Sequence, residues 1–213
     1  MKFSTILVLF ITFSASLYCQ TETPEISSPL EKDVYVSGGI SFPYLPSEFK
    51  NYYDNGINGN LGFGFSFDPG DFGYSSVYGT ASFNRFNFNE TSYRNAIKKQ
   101  SVDTIISGGS VNVFTFTLNY KGSFSSTKKS IAPYFVIGIG YMYLAADSVK
   151  INNRPMFSIE GEPLSTFTWS FGIGFEVPVT DRFTAYAQGE SVIGVFDRTR
   201  QYFPVSIGLR VKM

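Results

Sequence analysis

The sequence predicts an all-β fold: an eight-stranded antiparallel up-and-down β-barrel that crosses a membrane with its strands. Three observations predict it. Apolar residues recur at every second position in eight stretches. The face opposite them is small and polar but carries few charges. The connections alternate between long and short, and the chain ends in a strand that runs to its last residue.

The chain opens with "MKFSTILVLFITFSASLYCQ". Lys2 supplies a short positive region, Ile6 to Phe13 a compact apolar one, and Ser14-Ala15-Ser16 small residues near a cleavage point. Residues 1–19 read as a secretory signal peptide, because the apolar run is too short to span a bilayer. Cleavage after Ser16 and cleavage after Cys19 both fit. Cys19 is the only cysteine; the bulky Tyr18 before it fits a lipid-acylation signal poorly. Without it the mature chain has no thiol and takes its stability from something other than disulfides.

Eight strand candidates follow, each with a large apolar face and a small polar one. The first, "VYVSGGISF", sets Val34, Val36, Ile40 and Phe42 against Tyr35, Ser37, Gly39 and Ser41. The second, "NLGFGFSFD", sets Leu61, Phe63, Phe65 and Phe67 against Asn60, Gly62, Gly64, Ser66 and Asp68. The third, Val77 to Phe88, alternates less cleanly, in the manner of a strand with a bulge. The fourth, "VFTFTLNYK", sets Phe114, Phe116, Leu118 and Tyr120 against Thr115, Thr117, Asn119 and Lys121. The fifth, "YFVIGIGYMY", sets Phe135, Ile137, Ile139, Tyr141 and Tyr143 against Tyr134, Val136, Gly138, Gly140 and Met142. The sixth, "TFTWSFGIGFEV", sets Phe167, Trp169, Phe171, Ile173, Phe175 and Val177 against Thr168, Ser170, Gly172, Gly174 and Glu176. The seventh, Phe183 to Val195, has a thin apolar face opposite Thr184, Tyr186, Gln188 and Glu190. The eighth is "VSIGLRVKM". Residues 44–57, 89–110 and 146–163 are long connections, "DPGDFGY", "SFSSTKKS" and "PVTDR" shorter ones, and the stretch near "FDRTRQ" is moderate.

Two barrels fit this pattern. In a soluble, lipocalin-like binding barrel the large apolar face points inward, and a water-facing side rich in Lys and Glu is expected. Here that side holds Gly, Ser, Thr and Asn. Glycine weakens a strand interior, but it suits the crowded lumen of a small barrel. In the inverted arrangement Phe, Ile, Leu and Trp face lipid and the small polar residues fill the lumen, the dyad pattern of membrane barrels. Closure is then obligatory, because an open edge in lipid strands unpaired backbone groups. The final strand runs to the chain end because it pairs with the first, and Arg210 and Lys212 face a polar lumen. The membrane arrangement explains more of the sequence.

Composition narrows function. Lys plus Arg and Asp plus Glu are 17 each, so nothing favours nucleic acid as a partner. The chain has no histidine, which removes the usual carrier of general-base, triad and zinc chemistry. No cofactor or metal motif is present. The two "GIG" stretches, Gly138–Gly140 and Gly172–Gly174, lack the further glycines of a phosphate loop and read as lumen packing. Asn89 heads a glycosylation sequon by spelling only, and Lys98-Lys99 and Lys128-Lys129 read as solvated loop charges. Glu176 and Glu190 are the one carboxylate pair able to act without histidine, and they read instead as members of a lumen charge network.

The segments "APYFVIGIGY", "FTWSFGIGFEVPVTDRFTAYAQGE" and "PVSIGLRV" resemble the outer-membrane β-barrel domain family, which includes OmpA/OmpX-type and porin-like barrels of Gram-negative bacteria, here in a Bacteroidetes-like style. The tail resembles that family's C-terminal assembly signal, with Ser206, Gly208, Val211 and Met213 at its positions and Met213 replacing the usual aromatic end. The resemblance implies a signal peptide over 1–19, a short periplasmic segment over 20–32 and an integral outer-membrane barrel over 33–213. It implies outer-membrane lipid and the assembly machinery as partners.

The expected function is non-enzymatic: a structural or surface-interaction barrel acting through its long loops, the aromatic, Asn-rich "FKNYYDNGING" foremost. A narrow channel for small solutes is the alternative, although eight strands give a lumen that side chains can fill. That filling is expected to be a network of Asp68, Lys121, Glu176, Glu190, Arg210 and Lys212. Pairing through "PVTDR" is expected to set Glu176 near Thr184, with Tyr186 one inward step further. Pairing through the last loop is expected to bring Arg210 or Lys212 beside Tyr186, within reach of Glu176.

Overall fold

The computed structural model describes residues 30–45, 47–67, 74–96, 106–124, 131–147, 149–151, 154–157, 164–195 and 199–213. The signal-peptide residues, Cys19 and Asp68 lie outside these.

Eight long strands close into one antiparallel barrel: β1 (Glu31–Leu45), β2 (Gly56–Phe67), β3 (Ser75–Phe86), β5 (Val111–Ser123), β6 (Ala132–Ala146), β9 (Leu164–Pro178), β10 (Phe183–Val195) and β11 (Thr199–Lys212). Each pairs with its neighbours in the chain, and β1 pairs with β11 from Asp33↔Lys212 upward. The seam is tied at its end, where the Met213 N–H donates to the Lys32 carbonyl at 2.9 Å. Closure leaves the barrel's eight described strands with no open edge for lipid to meet. Three short strands, β4 (Ile106–Ser107), β7 (Val149–Ile151) and β8 (Arg154–Phe157), form a separate sheet from the long connections. Two short helices, α1 (Ser47–Tyr52) and α2 (Glu90–Ala96), lie at the same end of the barrel. That end is the loop end; the other, where β1 begins and β11 ends, is the turn end.

The parity of the barrel strands follows the apolar-out, polar-in pattern, clearly in all but β3. Ile207 is 72% exposed, Phe116 61% and Trp169 45%, whereas Ser66, Ser76, Thr168 and Asp33 are buried. An apolar band this continuous around a soluble protein would be an aggregation surface; around a membrane barrel it is the lipid contact. The barrel is therefore apolar outside, and its lumen is polar except at the loop end.

Three details differ from the sequence reading. The third strand carries no bulge: β3 runs in unbroken register against β2 and β5. Its alternation is weak because its lipid face is thin (Gly79, Ala81) while its lumen face holds Tyr78 and Phe86. A register shift lies instead between Pro43 and Leu45, where β1 meets β11. The last connection is also short, because β11 already begins at Thr199.

Candidate functional site

The candidate site is the lumen, built as a stack of layers by inward residues of all eight strands. Nearest the turn end, Lys212 Nζ pairs with Glu31 Oε2 at 2.6 Å, and the Tyr74 hydroxyl donates to the same oxygen at 2.9 Å. Burial pushes the Tyr74 phenol well above the ordinary tyrosine range, so it stays a donor.

The next layer is a buried charge cluster. Lys121 Nζ donates to Glu176 Oε2 at 2.8 Å, and Arg210 Nη1 approaches the same oxygen at 3.7 Å. Arg210 Nη2 also donates to Thr184 Oγ1 at 3.3 Å, and its guanidinium lies 5.0 Å from the Tyr74 ring centre. Asp33 is fully buried nearby and accepts from Ser66 and, at 3.5 Å, from Tyr35. Two cations and two carboxylates thus share one level, which offsets the cost of burying each alone.

Above it lies an aromatic layer. Tyr35 stacks on Tyr78 with ring centres 4.5 Å apart and meets Tyr186 edge-on at 6.4 Å. Lys121 Nζ lies 5.6 Å from the Tyr35 ring and 5.1 Å from Tyr134, close enough for cation–π attraction. Glycine makes room for these rings. A Cβ on Gly174 would come within 2.5 Å of the Tyr134 hydroxyl, and one on Gly208 within 2.7 Å of the Tyr186 ring.

A neutral hydrogen-bonded layer follows. Ser41 donates to Asn84 at 2.6 Å, Asn58 to Ser41 at 3.2 Å, Ser206 to Asn58 at 2.9 Å and Asn84 to the Tyr202 hydroxyl at 3.3 Å. At the loop end the lumen turns apolar. Phe86, Val111, Val113, Met142, Leu144, Val192 and Tyr202 point inward, and Phe49 and Tyr53 from the first long connection close over them. Phe49 meets Phe86 edge-on at 5.0 Å. The cavity between the tyrosine and asparagine layers, lined by Tyr35, Tyr78, Asn84 and Glu190 among others, holds about 50 Å³, room for a few waters at ~10–15 Å³ each.

The expected network divides accordingly. Lys121, Glu176 and Arg210 meet, Lys212 pairs lower down with Glu31, and Glu190 lies higher, accepting from Gln188 Nε2 at 3.0 Å. The expected register was two residues off. Glu176 pairs with Tyr186, and Thr184 with Pro178, because β9 continues through Pro178 before the turn. Across the last connection Arg210 lies opposite Thr184, and Gly208 rather than Arg210 or Lys212 opposite Tyr186. Sequence reasoning set Tyr35, Tyr134 and Tyr186 on the inward face but did not single out Asp33, Glu31, Tyr74, Tyr78 and Tyr202; the inward parity of Asp33 with Tyr35 was the available signal for the first. Of the tail positions, Ser206 and Gly208 face the lumen, Val211 pairs with Phe183 and Val34, and Met213 is exposed beyond β11. In the first long connection, Phe49 and Tyr53 are turned into the barrel mouth, and Lys50, Asn51, Asp54 and Asn55 remain outside.

The fold resembles small solved barrels. The Neisserial surface protein A structure matches with a TM-score of 0.50 at 11% identity, covering 87% of this chain and 98% of that one. Ail of Yersinia pestis, solved with the heparin analogue sucrose octasulfate, gives 0.47 at 16% identity, covering 86% and 99%. The N-terminal β-barrel domain of Pseudomonas aeruginosa OprF gives 0.47 at 12% identity, covering 87% and 100%. No curated protein matches the sequence. The model of the outer membrane protein beta-barrel domain matches residues 5–193, through all strands but the last, and the chain belongs to that family.

Proposed function

We propose that this protein is a plugged, non-enzymatic barrel of the outer membrane that acts through its loop-end surface rather than as an open pore. The observation that carries the reading is the double closure of the lumen, by the Lys121–Glu176–Arg210 cluster below and the Phe49–Phe86–Tyr202 cluster above. The absence of histidine supports a non-enzymatic role. So does the placement of the two lumen carboxylates. Glu176 is engaged by two cations, and Glu190 pairs with Gly172, four residues further along β9. That is about 13 Å of backbone at ~3.3 Å per residue, so the two carboxylates do not sit opposite one another as a pair. The loop end supplies the surface for a partner: α1, α2 and the β4–β7–β8 sheet. The signal-like first residues supply the route of export.

Conductance in planar bilayers tests the reading. The native protein is expected to give little or no steady current. A large, stable native pore would put the channel reading in its place.

A further inference from the structure

On the outer wall of the barrel a groove runs along β3, where large residues give way to small ones. Its floor is Gly79 and Ala81 of β3 with Gly59 of β2. Leu61 on β2 walls one side and Phe116 on β5 the other, both well exposed on the lipid face. A Cβ on Gly59 would meet nothing within 4 Å, and one on Gly79 would meet only the Thr117 carbonyl oxygen at 4.0 Å. The protein's own side chains therefore leave the groove open.

The loop end of the groove is polar. Phe83 lies 4.9 Å from Phe114, and Phe114 6.3 Å from Tyr143, between ring centres. Such an aromatic row marks the boundary of lipid and water. One outward step beyond it, β3 carries Arg85 and β5 carries Asn112, in register with each other. Arg85 is exposed, and none of the described acids pairs with it. Its fork of N–H donors matches phosphate geometry. From Arg85 to Gly79 is six residues of one strand. At ~3.3 Å per residue and a tilt of about 35–45°, that is about 15 Å of depth, half of the hydrocarbon core of a bilayer. The outer face of β10 is also thin, at Ala185, Ala187 and Gly189, but its outward residues towards the loop end are Ser191, Ile193 and Val195, none of them charged. The groove on β3 thus joins an apolar trough of one leaflet's depth to an unpaired cation at head-group level.

We propose that this groove binds an anionic, phosphate-bearing membrane lipid. One acyl chain lies over Gly79, Ala81 and Gly59, between Leu61 and Phe116, and the phosphate meets Arg85 with Asn112 beside it. Charge decides the occupant: the apolar face of a second barrel would fill the groove but offer Arg85 no anion. The site is on the outer wall and does not depend on a plugged lumen.

The test uses the full barrel folded in detergent, with folding checked by heat-modifiability. Dioleoylphosphatidylglycerol and dioleoylphosphatidylcholine compete for it in equal amounts, and native mass spectrometry reads the last lipid retained. Phosphatidylglycerol is expected to be retained about fivefold over phosphatidylcholine, the effect of one cation at an anionic head group. Arg85→Gln is expected to remove that preference and Arg85→Lys to keep most of it. Gly59→Leu places its side chain in open space, so it is expected to fold and to release both lipids at lower collision energy. Glycerophosphoglycerol, the same head group without chains, is not expected to displace the lipid. Equal retention of the two lipids, a preference that survives Arg85→Gln, retention unchanged in Gly59→Leu, or displacement by the chainless head group overturns the proposal. So does a barrel dimer that Gly59→Leu dissociates, which would put a second copy in the groove.

Discussion

Glu176 is the residue on which the lower closure depends. One of its oxygens accepts Lys121 at 2.8 Å and faces Arg210 at 3.7 Å, and all three side chains are buried. Such pairs contribute little net stability when formed, but removing one partner strands the other, at a cost of about 3–5 kcal/mol. Glu176→Gln leaves two cations facing each other with only Asp33 nearby, and is expected to cost on that order. Arg210→Ala is expected to cost less, because Lys121 still holds Glu176. The double variant is expected to cost less than the sum of the two, since both remove one shared interaction. Urea unfolding of the refolded barrel in vesicles measures the cycle, and strictly additive effects would show that Arg210 and Glu176 do not communicate.

The strands show where sequence pattern is sufficient and where it fails. In β9 the contrast between Phe167, Trp169, Phe171, Ile173, Phe175 and the residues between them is unbroken, so its parity was legible and Phe171 faces outward at half exposure. Phe171→Arg is therefore expected to cost about 2–4 kcal/mol if the residue lies near the membrane midplane. Ser170→Arg, one position away, is expected to be harmful for the opposite reason: the buried Ser170 has no lumen space beside it for a guanidinium. Folding yields of both variants into bilayers separate the causes, and an unchanged Phe171→Arg would reverse the parity. Register was less legible than parity. A period of two fixes which face a residue occupies but not its partner, and where β9 stops was decided by Pro178 and the 179–182 turn, in which Val179 N–H donates to the Phe183 carbonyl at 2.8 Å. In β3 the pattern was misleading, because Tyr78 and Phe86 are large residues on the lumen side. The aromatic residues Phe49 and Tyr53 looked like loop surface, since no periodicity in an irregular segment shows which way a ring turns; burial against Phe86 and Val111 decides it.

At the scale of the whole molecule the described lumen holds an apolar layer and a charge cluster with a polar middle, and the plugged reading makes these two closures in series. The upper one is apolar and works by excluding water: Phe86 is fully buried, with Phe49 at 5.0 Å and Tyr202 at 5.8 Å between ring centres. The lower one is ionic and works by mutual neutralisation of Lys121, Arg210, Glu176 and Asp33. Their chemistries differ, and removing either leaves the other in the path. Phe86→Ala opens space at the loop end and is expected to cost about 3–5 kcal/mol through the cavity it leaves. It is nevertheless expected to leave the protein non-conducting, because ions still meet the charge cluster. Glu176→Gln loosens that cluster, and it too is expected to remain non-conducting beneath the apolar layer. The two sites share no contact, so their stability costs are expected to add, and heat-modifiability identifies the preparations in which the double variant is still folded. In those preparations Phe86→Ala with Glu176→Gln is expected to show conductance steps that neither single variant shows. Steps in a single variant would mean that one closure alone seals the barrel, and a silent, folded double variant would mean that the tyrosine layer of Tyr35, Tyr78, Tyr134 and Tyr186 is a third.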